Sequence, residues 1–547
     1  MRRPNLLRLS TWSLQSEEAT FGPSGAWSNK DMDPVPLPSR TWTSWNYVSY
    51  WISDATTVPM WQFASSMLAI GLTWRQALAA IAVGQTIIGV IVVLNGTIGA
   101  RLRVSFPVLN RSSFGFWFSY FSVISRAVLA MFWFGVQTYV GSECFYQMLK
   151  AIWPLAARIP NRLAGSSPVT TVEMMCYFLY WFLQLPLLLV SPQKIRHFFT
   201  VKSIIVPIAW LSILIWAMIR VPARISLAPR QDGLHGSAFA WAWLGALNSS
   251  LGLYATVSIN IPDFTRYAKN PRAQIVQLLV IPLSFTLVGF IGIAVTSAAE
   301  IIYGEVLWDP SRLIDHWDNR AAAFFASFSF LLSTIGSNIS ANSLSAANDL
   351  MVIFPKYINI RRGQVICAII GGWALCPWEI LATAPGFLSF MSGYTVFLGP
   401  FAGIMISDYW LVHKGKVDVP AMYHPRGRYR YWNGIVRHTS VNEHLNWRAA
   451  LALLCSVIPT MPGLINNINK SVKVGNASRL FDVAWLYGFF SALLIYWSLS
   501  AIFPPHGTFM EQAILADEYP EIPDHEKVNP GLRSLDSSLG ELVPEKP

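Results

Sequence analysis

The sequence predicts an all-α polytopic membrane protein, and three observations point to this class. Of the 547 residues, 53% are hydrophobic and only 13% are charged, whereas soluble domains carry about 25% charged residues. Apolar runs of about 20 residues, the length that a helix needs to cross a bilayer, recur along the chain. Two of these runs contain a proline close to a carboxylate, at residues 54–59 and 258–263.

The apolar runs predict twelve membrane-spanning helices, numbered here as the first to twelfth spans. We place them at residues 45–69, 76–96, 117–147, 172–190, 200–219, 240–261, 275–299, 321–345, 363–380, 384–407, 448–466 and 482–502. Because twelve is an even number, both ends of the chain are predicted on the same side of the lipid bilayer.

Basic residues in the connecting loops predict which side this is. They are Arg101, Arg103, Arg111, Lys194, Arg196, Lys202, Arg266, Lys269, Arg272, Lys356, Arg361, Arg362, Lys414, Lys416, Arg426, Arg428 and Arg430. The long loop near 300–320, on the other side, is acidic. Since basic loops face the cytoplasm, both termini are predicted to be cytoplasmic. These loops also account for the net charge of +11, so we predict no nucleic-acid partner.

The remaining composition argues against an enzyme. The five cysteines form no CxxC pair, and the chain contains no HExxH motif, no GxSxG motif and no cluster of metal-ligating residues. We therefore predict no catalytic residue, no metal site and no cofactor. The polar segments 1–42 and 504–547, rich in Ser, Pro, Glu and Asp, are predicted to be flexible cytoplasmic tails.

The two proline interruptions are the first functional signal. A proline inside a membrane helix frees backbone groups that must line a buried or watery cavity. Paired interruptions in two halves of a chain point to the binding site of a secondary transporter. Asp54, in the first span, is a candidate for proton coupling, or else caps the second half of the broken helix or bonds a neighbouring helix. Asp263 is predicted to pair with Arg266 or another basic residue.

The third span carries Trp133 and Gln137, which are four residues apart and lie on one helix face. An indole can stack on a flat ring, and a carboxamide offers one acceptor and two donors. Together they would suit a planar heterocycle that bears amide groups. By itself the pair favours a plainer interpretation, in which the tryptophan packs against its neighbours and the glutamine bridges two helices.

The eighth and tenth spans contain further unusual residues. Asn338 and Asn342 lie in a run of small and polar residues, 333–342, inside an apolar span. Small residues allow helices to approach closely, and the amides need partners. Phe387 and Met391, between Gly386 and Gly393, could form a movable gate or could simply pack against their neighbours.

Several motifs occur in a fixed order along these spans. They are Asn29-Lys30-Asp31-Met32-Asp33-Pro34-Val35, Phe106-Pro107-Val108-Leu109-Asn110-Arg111, Asn260-Ile261-Pro262-Asp263-Phe264-Thr265-Arg266-Tyr267, the run ending in Asn342, and Ile406-Ser407-Asp408-Tyr409-Trp410. With these motifs the chain resembles the nucleobase:cation symporter-1 family, most closely its fungal uracil and allantoin permease branch. The resemblance extends over roughly residues 29–505.

The resemblance implies a fold of two inverted repeats of five helices each, followed by two more helices. The first and sixth helices are then discontinuous. The chain divides accordingly into an N-terminal tail (1–42), a first repeat (43–219), a second repeat (220–410), a cytoplasmic loop with the last two helices (411–503) and a C-terminal tail (504–547).

The resemblance also implies roles for individual residues. Trp133 would stack on the ring of the substrate and Gln137 would hydrogen-bond it, with Asn342 and, in a looser alignment, Tyr254 as further contacts. Phe387 and Met391 match residues of the gate on the tenth helix.

One departure from the family concerns the coupling ion. In sodium-coupled relatives the cation lies between the first and eighth helices, on backbone carbonyls and two adjacent hydroxyls. The matching residues are Gly336 and Ser337, so one hydroxyl is missing. Losing an oxygen ligand weakens a sodium site. The sequence therefore favours a coupling proton over sodium, with Asp54 as the candidate carrier.

We consequently predict a plasma-membrane proton symporter for a small heterocyclic substrate such as uracil, allantoin, uridine or uric acid, working by alternating access. The residues 56–61 differ from the version common in the uracil branch, so the cargo stays open. A second hypothesis keeps the fold and assigns a thiamine-like vitamin or a specialised metabolite as cargo. A third is a nutrient receptor that uses the same pocket without transport.

Overall fold

The computed structural model describes residues 13–14, 27–28, 32–190, 192–227, 234–431 and 444–518. These residues form α-helices with two isolated β-bridges, Trp42 with Ala268 and Asp418 with Ile514, and no strand. The motif at 29–31, most of both predicted tails, and the side chains of Lys194 and Arg196 lie outside the described residues.

The α-helices follow one another along the chain. They are α1 (Ser44–Ala55), α2 (Val58–Ala69), α3 (Trp74–Leu102), α4 (Phe106–Phe114), α5 (Phe116–Ile152), α6 (Thr171–Leu188), α7 (Pro192–Arg220), α8 (Ala223–Ser226), α9 (Gly236–Asn260), α10 (Pro262–Thr265), α11 (Gln277–Tyr303), α12 (Pro310–Asp315), α13 (Arg320–Ser337), α14 (Leu344–Ile353), α15 (Ile360–Ile369), α16 (Pro377–Ile380), α17 (Ala384–Gly393), α18 (Thr395–Ile406), α19 (Trp447–Val457), α20 (Met461–Ile468), α21 (Ser478–Phe481) and α22 (Ala484–Ile502). Wider π-helical turns continue three of them, at Asn338–Ser343, Ile370–Ala374 and Ser407–Val412.

Within the described ranges, nine helical segments are long and apolar enough to cross a membrane. They support a multi-pass membrane protein. Each of the twelve predicted spans overlaps a helix or a pair of consecutive helices. The three spans that are not among the nine correspond to the α1–α2 pair, to α9, and to α15 with its π-helical turn.

The two proline interruptions differ in the structure. In the first span, α1 ends at Ala55 and α2 begins at Val58. Pro59 lies in the first turn of α2, where backbone N–H groups form no hydrogen bond within the helix, so the proline costs no helical hydrogen bond. In the sixth span, α9 runs unbroken to Asn260, and Pro262 starts the short α10 after it. The expectation of a discontinuous sixth helix was therefore wrong. Pro262 lies after the span, so no hydrogen bond inside α9 is lost.

Loop contacts define two faces of the molecule. The tail face holds the start of α1, α4, α10 and segments 408–431 and 504–518. Phe106 donates its N–H to Asp263 at 2.8 Å, and Val419 donates to the carbonyl of Ile514 at 3.0 Å. The loop face holds 153–170 and 304–319, where Arg320 donates to the carbonyl of Ala151 at 2.7 Å.

The long helix α5 lies at the centre of the bundle. It packs against α6, α13 and α14, while α3 packs against α9 and α11, and α18 against α22. Its middle third is almost completely buried. Polar residues in this stretch therefore face protein rather than lipid.

Candidate substrate site

A cavity of about 70 Å³ lies between the α1–α2 break, α5, α9 and the π-helical turn Asn338–Ser343. Its lining includes Asp54, Trp133, Gln137, Tyr254 and Asn342, each at most 8% exposed. The cavity is smaller than the ~300–1,000 Å³ pockets of drug-sized ligands, so it suits a small ligand. The structure thus brings together five of the seven residues that the sequence analysis assigned to substrate binding, the gate or proton coupling.

The break between α1 and α2 exposes carbonyl groups that neighbouring helices satisfy. The hydroxyl of Tyr254 donates to the carbonyl of Asp54 at 2.9 Å, and that of Ser333 donates to the carbonyl of Thr56 at 2.7 Å. Unsatisfied carbonyls in a membrane interior cost several kcal/mol each. Side chains from α9 and α13 therefore hold the break in place.

Lys202 provides a third contact to this break. Its ammonium donates to the carbonyl of Ser53 at 3.1 Å and lies 3.5 Å from the hydroxyl of Ser337. A Cβ on Gly336 would be only 2.7 Å from Cδ of Lys202, so the glycine makes room for the lysine stem. The sequence assigned Lys202 to a basic loop, and this was wrong, because it lies in α7 and is 2% exposed.

Trp133 and Gln137 lie on the cavity side of α5, as their spacing predicts. The indole of Trp133 makes edge contacts with Phe390 and Phe387, with ring centroids 5.7 and 6.4 Å apart. The Oε1 of Gln137 is buried and has no hydrogen-bond partner among the described residues. A buried acceptor without a partner in a cavity wall indicates a group that can accept a hydrogen bond from a bound ligand.

Asn342 is held by a chain of amides that starts in its own π-helical turn. It donates to Oδ1 of Asn338 at 3.0 Å, and Asn338 donates to Thr138 and Gln184 at 3.1 Å each. These bonds explain the two asparagines predicted as a pair, since Asn338 positions Asn342 while Asn342 faces the cavity. Single π-helical turns inside α-helices are frequent at functional sites.

The predicted gate residues Phe387 and Met391 are fully buried but do not line the cavity. Phe387 lies between Trp133 and Trp308, stacking on the latter at a centroid distance of 6.3 Å. A Cβ on Gly252 would overlap the carbonyl of Met391, so α17 approaches α9 closely there. Phe387 therefore lies behind Trp133, on the loop-face side.

Asp54 and Asp263 occupy different surroundings. Asp54 is buried in the cavity wall, and its Oδ2 has no hydrogen-bond partner in the described part of the chain. Asp263 lies beyond the cavity and forms an ion pair of 3.0 Å with Arg126 of α5. Its predicted structural pairing is therefore with Arg126 rather than Arg266. Arg126 also binds Asp349 of α14.

The sequence did not predict the buried contacts of Lys202 with the α1–α2 break or the ion pairs of Arg126 with Asp263 and Asp349. The available signal was a basic residue inside an apolar span, at 200–219 and 117–147 respectively. Such residues are costly in a membrane and mark interior positions. Nothing in the sequence identified the helix that each one faces.

Comparison with known proteins identifies the family. Residues 34–488 match the family described as permease for cytosine/purines, uracil, thiamine, allantoin. The chain belongs to this family. It is 39% identical to the uracil permease and 37% identical to the allantoin permease of Saccharomyces cerevisiae, in each case over 88% of this chain and 76% of the relative.

Membership in the permease family confirms the resemblance to nucleobase:cation symporters and the prediction of a transporter rather than an enzyme. A solved structure, the inward-facing conformation of Mhp1, covers 88% of this chain and 96% of its own with a TM-score of 0.68 and 20% identity. Mhp1 in a closed conformation with bromovinylhydantoin bound gives a TM-score of 0.65. This likeness concerns the fold, which is that of an Mhp1-like transporter.

Proposed function

We propose that this permease is a proton-coupled symporter that imports a nucleobase or a related compound, such as uracil, allantoin, uridine or uric acid. The observation that carries the proposal is the cavity wall formed by Trp133, Gln137, Tyr254 and Asn342. An indole and two carboxamides suit a flat ring that carries N–H donors and carbonyl acceptors. The unpaired Oε1 of Gln137 would accept one of those N–H groups.

The contacts of Lys202 support a proton rather than sodium as the coupling ion. The ammonium contacts a carbonyl of the first span and the Ser337 hydroxyl of the eighth, the region where the resemblance puts the sodium of related symporters. A fixed positive charge repels a second cation at this distance. Asp54, with an unpaired oxygen in the cavity wall, would take up the coupling proton.

The proposed cycle is alternating access in a plasma-membrane protein of twelve spans, arranged as two inverted repeats of five plus two. The tail face with both termini would be cytoplasmic, and the loop face would be external. Substrate would enter from the loop face, stack on Trp133 and bind Gln137 and Asn342. Phe387 and Met391 would then close over it before the tail-face end opens.

The test is competition for uptake of labelled uracil by a panel of nucleobases, nucleosides, allantoin and thiamine. It is run in cells that lack their own permeases, with and without a pH gradient. We expect competition by at least one nucleobase-like compound, collapse of uptake with a protonophore, and no response to sodium replacement. Indifference to every nucleobase and nucleoside would favour the vitamin or metabolite cargo. Ligand-dependent signalling without uptake would favour the receptor.

A substitution at Lys202 sharpens the coupling test. Lys202→Met removes the charge and keeps the length of the stem. We expect uptake to become responsive to sodium, because the charge that repels a second cation is gone, while the protein still reaches the membrane. The matched control is Lys269→Met, an exposed lysine on the tail face. Sodium-dependent uptake by the unmodified protein would contradict the proposed role of the ammonium.

A further inference from the structure

A groove of about 720 Å³ opens between α7, the end of α11 and the start of α13, near the loop face. It shares no lining residue with the substrate cavity. Ala209, Trp216 and Arg220 line it from α7, and Phe325 lines it from α13. Its volume lies within the ~300–1,000 Å³ of pockets that hold small molecules, so the groove can accommodate a ligand of its own.

The apolar part of the groove faces the lipid bilayer. Apolar side chains of α7 beside the lining residues are strongly exposed, with Ile208 at 60%, Ile215 at 59% and Ile219 at 76%. Phe325, on the opposite wall, is 67% exposed. In a helix that crosses a membrane, exposed residues of this kind contact acyl chains. The groove is therefore a gap in the surface that the protein presents to lipid.

The length of the groove matches one leaflet of a bilayer. Ala209 and Arg220 are separated by three turns of α7, ~16 Å along the helix axis. The hydrocarbon core of a bilayer is ~30 Å thick, so one leaflet contributes ~15 Å. Arg220 is the last residue of α7, whereas Ala209 lies near the middle of the predicted fifth span, 200–219. An acyl chain of the loop-face leaflet would therefore follow the groove from the interface to the middle of the membrane.

The end of the groove at the loop face carries charges of both signs. Arg220 and Asp318 line it, both are exposed, and neither forms an ion pair with a described residue. His316 is engaged instead, since its Nε2 lies 3.3 Å from Glu305 and its ring stacks on Tyr303 at a centroid distance of 4.6 Å. A guanidinium binds phosphate, and a carboxylate attracts an ammonium group. The two charges therefore complement a zwitterionic headgroup.

Two indoles lie at the same end of the groove. The rings of Trp216 and Trp317 have centroids 5.0 Å apart and planes inclined at 57°. Aromatic faces attract quaternary ammonium groups, and tryptophan is enriched at the level of lipid headgroups. The Nε1 of Trp317 is buried and has no hydrogen-bond partner among the described residues. Because buried donors without a partner are uncommon, this N–H indicates an acceptor on a ligand, such as a phosphate oxygen.

We propose that the groove binds one zwitterionic phospholipid of the leaflet at the loop face. Its phosphate would lie at Arg220 and Trp317, and its ammonium group at Asp318 and Trp216. One acyl chain would follow α7 as far as Ala209. The site requires only that the chain spans a bilayer, so the lipid binds whatever the cargo and the coupling ion are.

The bound lipid would join two helices that also meet at the substrate site. The helix α7 packs against α13. Beside the α1–α2 break, the ammonium of Lys202 on α7 lies 3.5 Å from the hydroxyl of Ser337 on α13. A lipid in the groove would fill the gap between the same helices nearer the loop face. We therefore expect added lipid of this class to raise the melting temperature of the purified protein.

Native mass spectrometry of the full-length protein in detergent tests the headgroup contacts. Dioleoyl phosphatidylcholine, dioleoyl phosphatidylglycerol and ergosterol are added in equal amounts, and we expect one phosphatidylcholine to be retained most strongly. Arg220→Gln should weaken its binding by about tenfold, because a charge-assisted bond to phosphate is lost. Asp318→Asn should shift the preference towards phosphatidylglycerol. Arg224→Gln, at an exposed arginine of α8 that does not line the groove, is the matched control. Equal lipid binding by Arg220→Gln and Arg224→Gln overturns the headgroup site.

The groove itself is tested by filling it. Ala322→Trp puts an indole on a residue that lines the groove, whereas Ala321→Trp changes its exposed neighbour outside the lining. We expect only Ala322→Trp to release the phosphatidylcholine and to abolish the rise in melting temperature that this lipid produces. Equal retention of the lipid by both variants overturns the site.

Other occupants of the groove would give different results. Stronger retention of phosphatidylglycerol or ergosterol by the unmodified protein overturns the assignment to a zwitterionic lipid. A protein dimer that Ala322→Trp dissociates without any change in bound lipid overturns it as well, because the occupant is then a second copy of the chain. Retained phosphatidylcholine in a protein that transports no tested compound supports the lipid site and contradicts the proposed function instead.

Discussion

Two buried aspartates of this protein have opposite surroundings. On the tail face, Asp408 accepts hydrogen bonds from Tyr496 at 2.7 Å, from two serines of α4 at 3.2 Å each, and from His413, whose Nδ1 lies 3.1 Å from Oδ1. In the cavity wall, one oxygen of Asp54 has no partner in the ranges that the structure describes. Both side chains are almost inaccessible to solvent. Burial alone therefore does not distinguish a fully hydrogen-bonded carboxylate from one with an oxygen that has no partner among the described residues.

The difference lies in what each carboxylate still requires. An unsatisfied buried polar atom costs about 1–3 kcal/mol, and more when it is charged. The network around Asp408 removes that cost and ties together α4, the end of α18, α22 and the segment at 504–518. At Asp54 and Gln137, by contrast, a buried oxygen has no hydrogen-bond partner among the described residues, so this free-energy cost remains. Such oxygens are consistent with groups that bind a ligand or a proton during transport.

The largest expected effect contrasts the two aspartates directly. Asp408→Ala removes the carboxylate that accepts from Tyr496 and Ser113 and that pairs with His413, so we expect a loss of ~3–5 kcal/mol of stability. Asp54→Ala removes a carboxylate with an unpaired oxygen, so the fold should keep its stability while uptake is lost. Thermal unfolding of both purified proteins in detergent measures this contrast. Equal destabilisation by the two substitutions would refute the distinction.

A smaller effect is expected at the unpaired amide of the cavity. Gln137→Ala removes the acceptor proposed for a ring N–H, so uptake should fall by about 10- to 100-fold, the equivalent of a lost buried hydrogen bond. Surface expression should persist. Gln147→Ala is the matched control, since Gln147 is a buried glutamine on the same helix that does not line the cavity. An unchanged apparent affinity in Gln137→Ala would remove Gln137 from the site.

The smallest expected effect concerns the pH dependence of the satisfied network. Burial by itself would lower the pKa of His413, but the Asp408 carboxylate beside it outweighs burial and raises the pKa above its ordinary value of 6.5. A raised folded-state pKa contributes stability that is complete below pH ~6.5 and is lost as the pH rises through the raised value. The change is limited to ~1.4 kcal/mol per pH unit for one proton.

Melting temperatures between pH 5.5 and 8.5 test this contribution. The stability advantage of the unmodified protein over His413→Gln should be largest at the acidic end and should shrink as the pH rises. His316→Gln, at an exposed histidine of the loop face that pairs with Glu305, is the control. A constant difference between His413→Gln and the unmodified protein would show that the ion pair with Asp408 does not titrate in this range.

Part of the cavity lining was predictable because local rules apply to it. Trp133 and Gln137 are four residues apart on one helix, and their spacing alone put them on one face. Lys202 was not predictable in the same way. Its charge is easily seen, but its partners Ser53 and Ser337 lie on helices that are distant in sequence. From the sequence, Gly336 indicated only that a hydroxyl group is absent. In the structure it also provides space for the side chain of Lys202.

The sequence by itself determined the class of protein, the approximate spans, the family and the residues that could recognise a planar ring. Apolar length and helix periodicity give the class and the spans, and motifs in a fixed order along the chain give the family. Each of these signals can be recognised within a continuous stretch of sequence. Only the tertiary structure decided that the first span is divided at its proline while α9 continues to Asn260 before Pro262. It likewise decided that Asp263 pairs with Arg126. It also decided which polar atoms stay unpaired. The hydrogen-bond partners of polar side chains in a helical membrane protein come mostly from other helices. Whether such a side chain has a partner therefore depends on how the helices pack and not on the order of residues in the sequence.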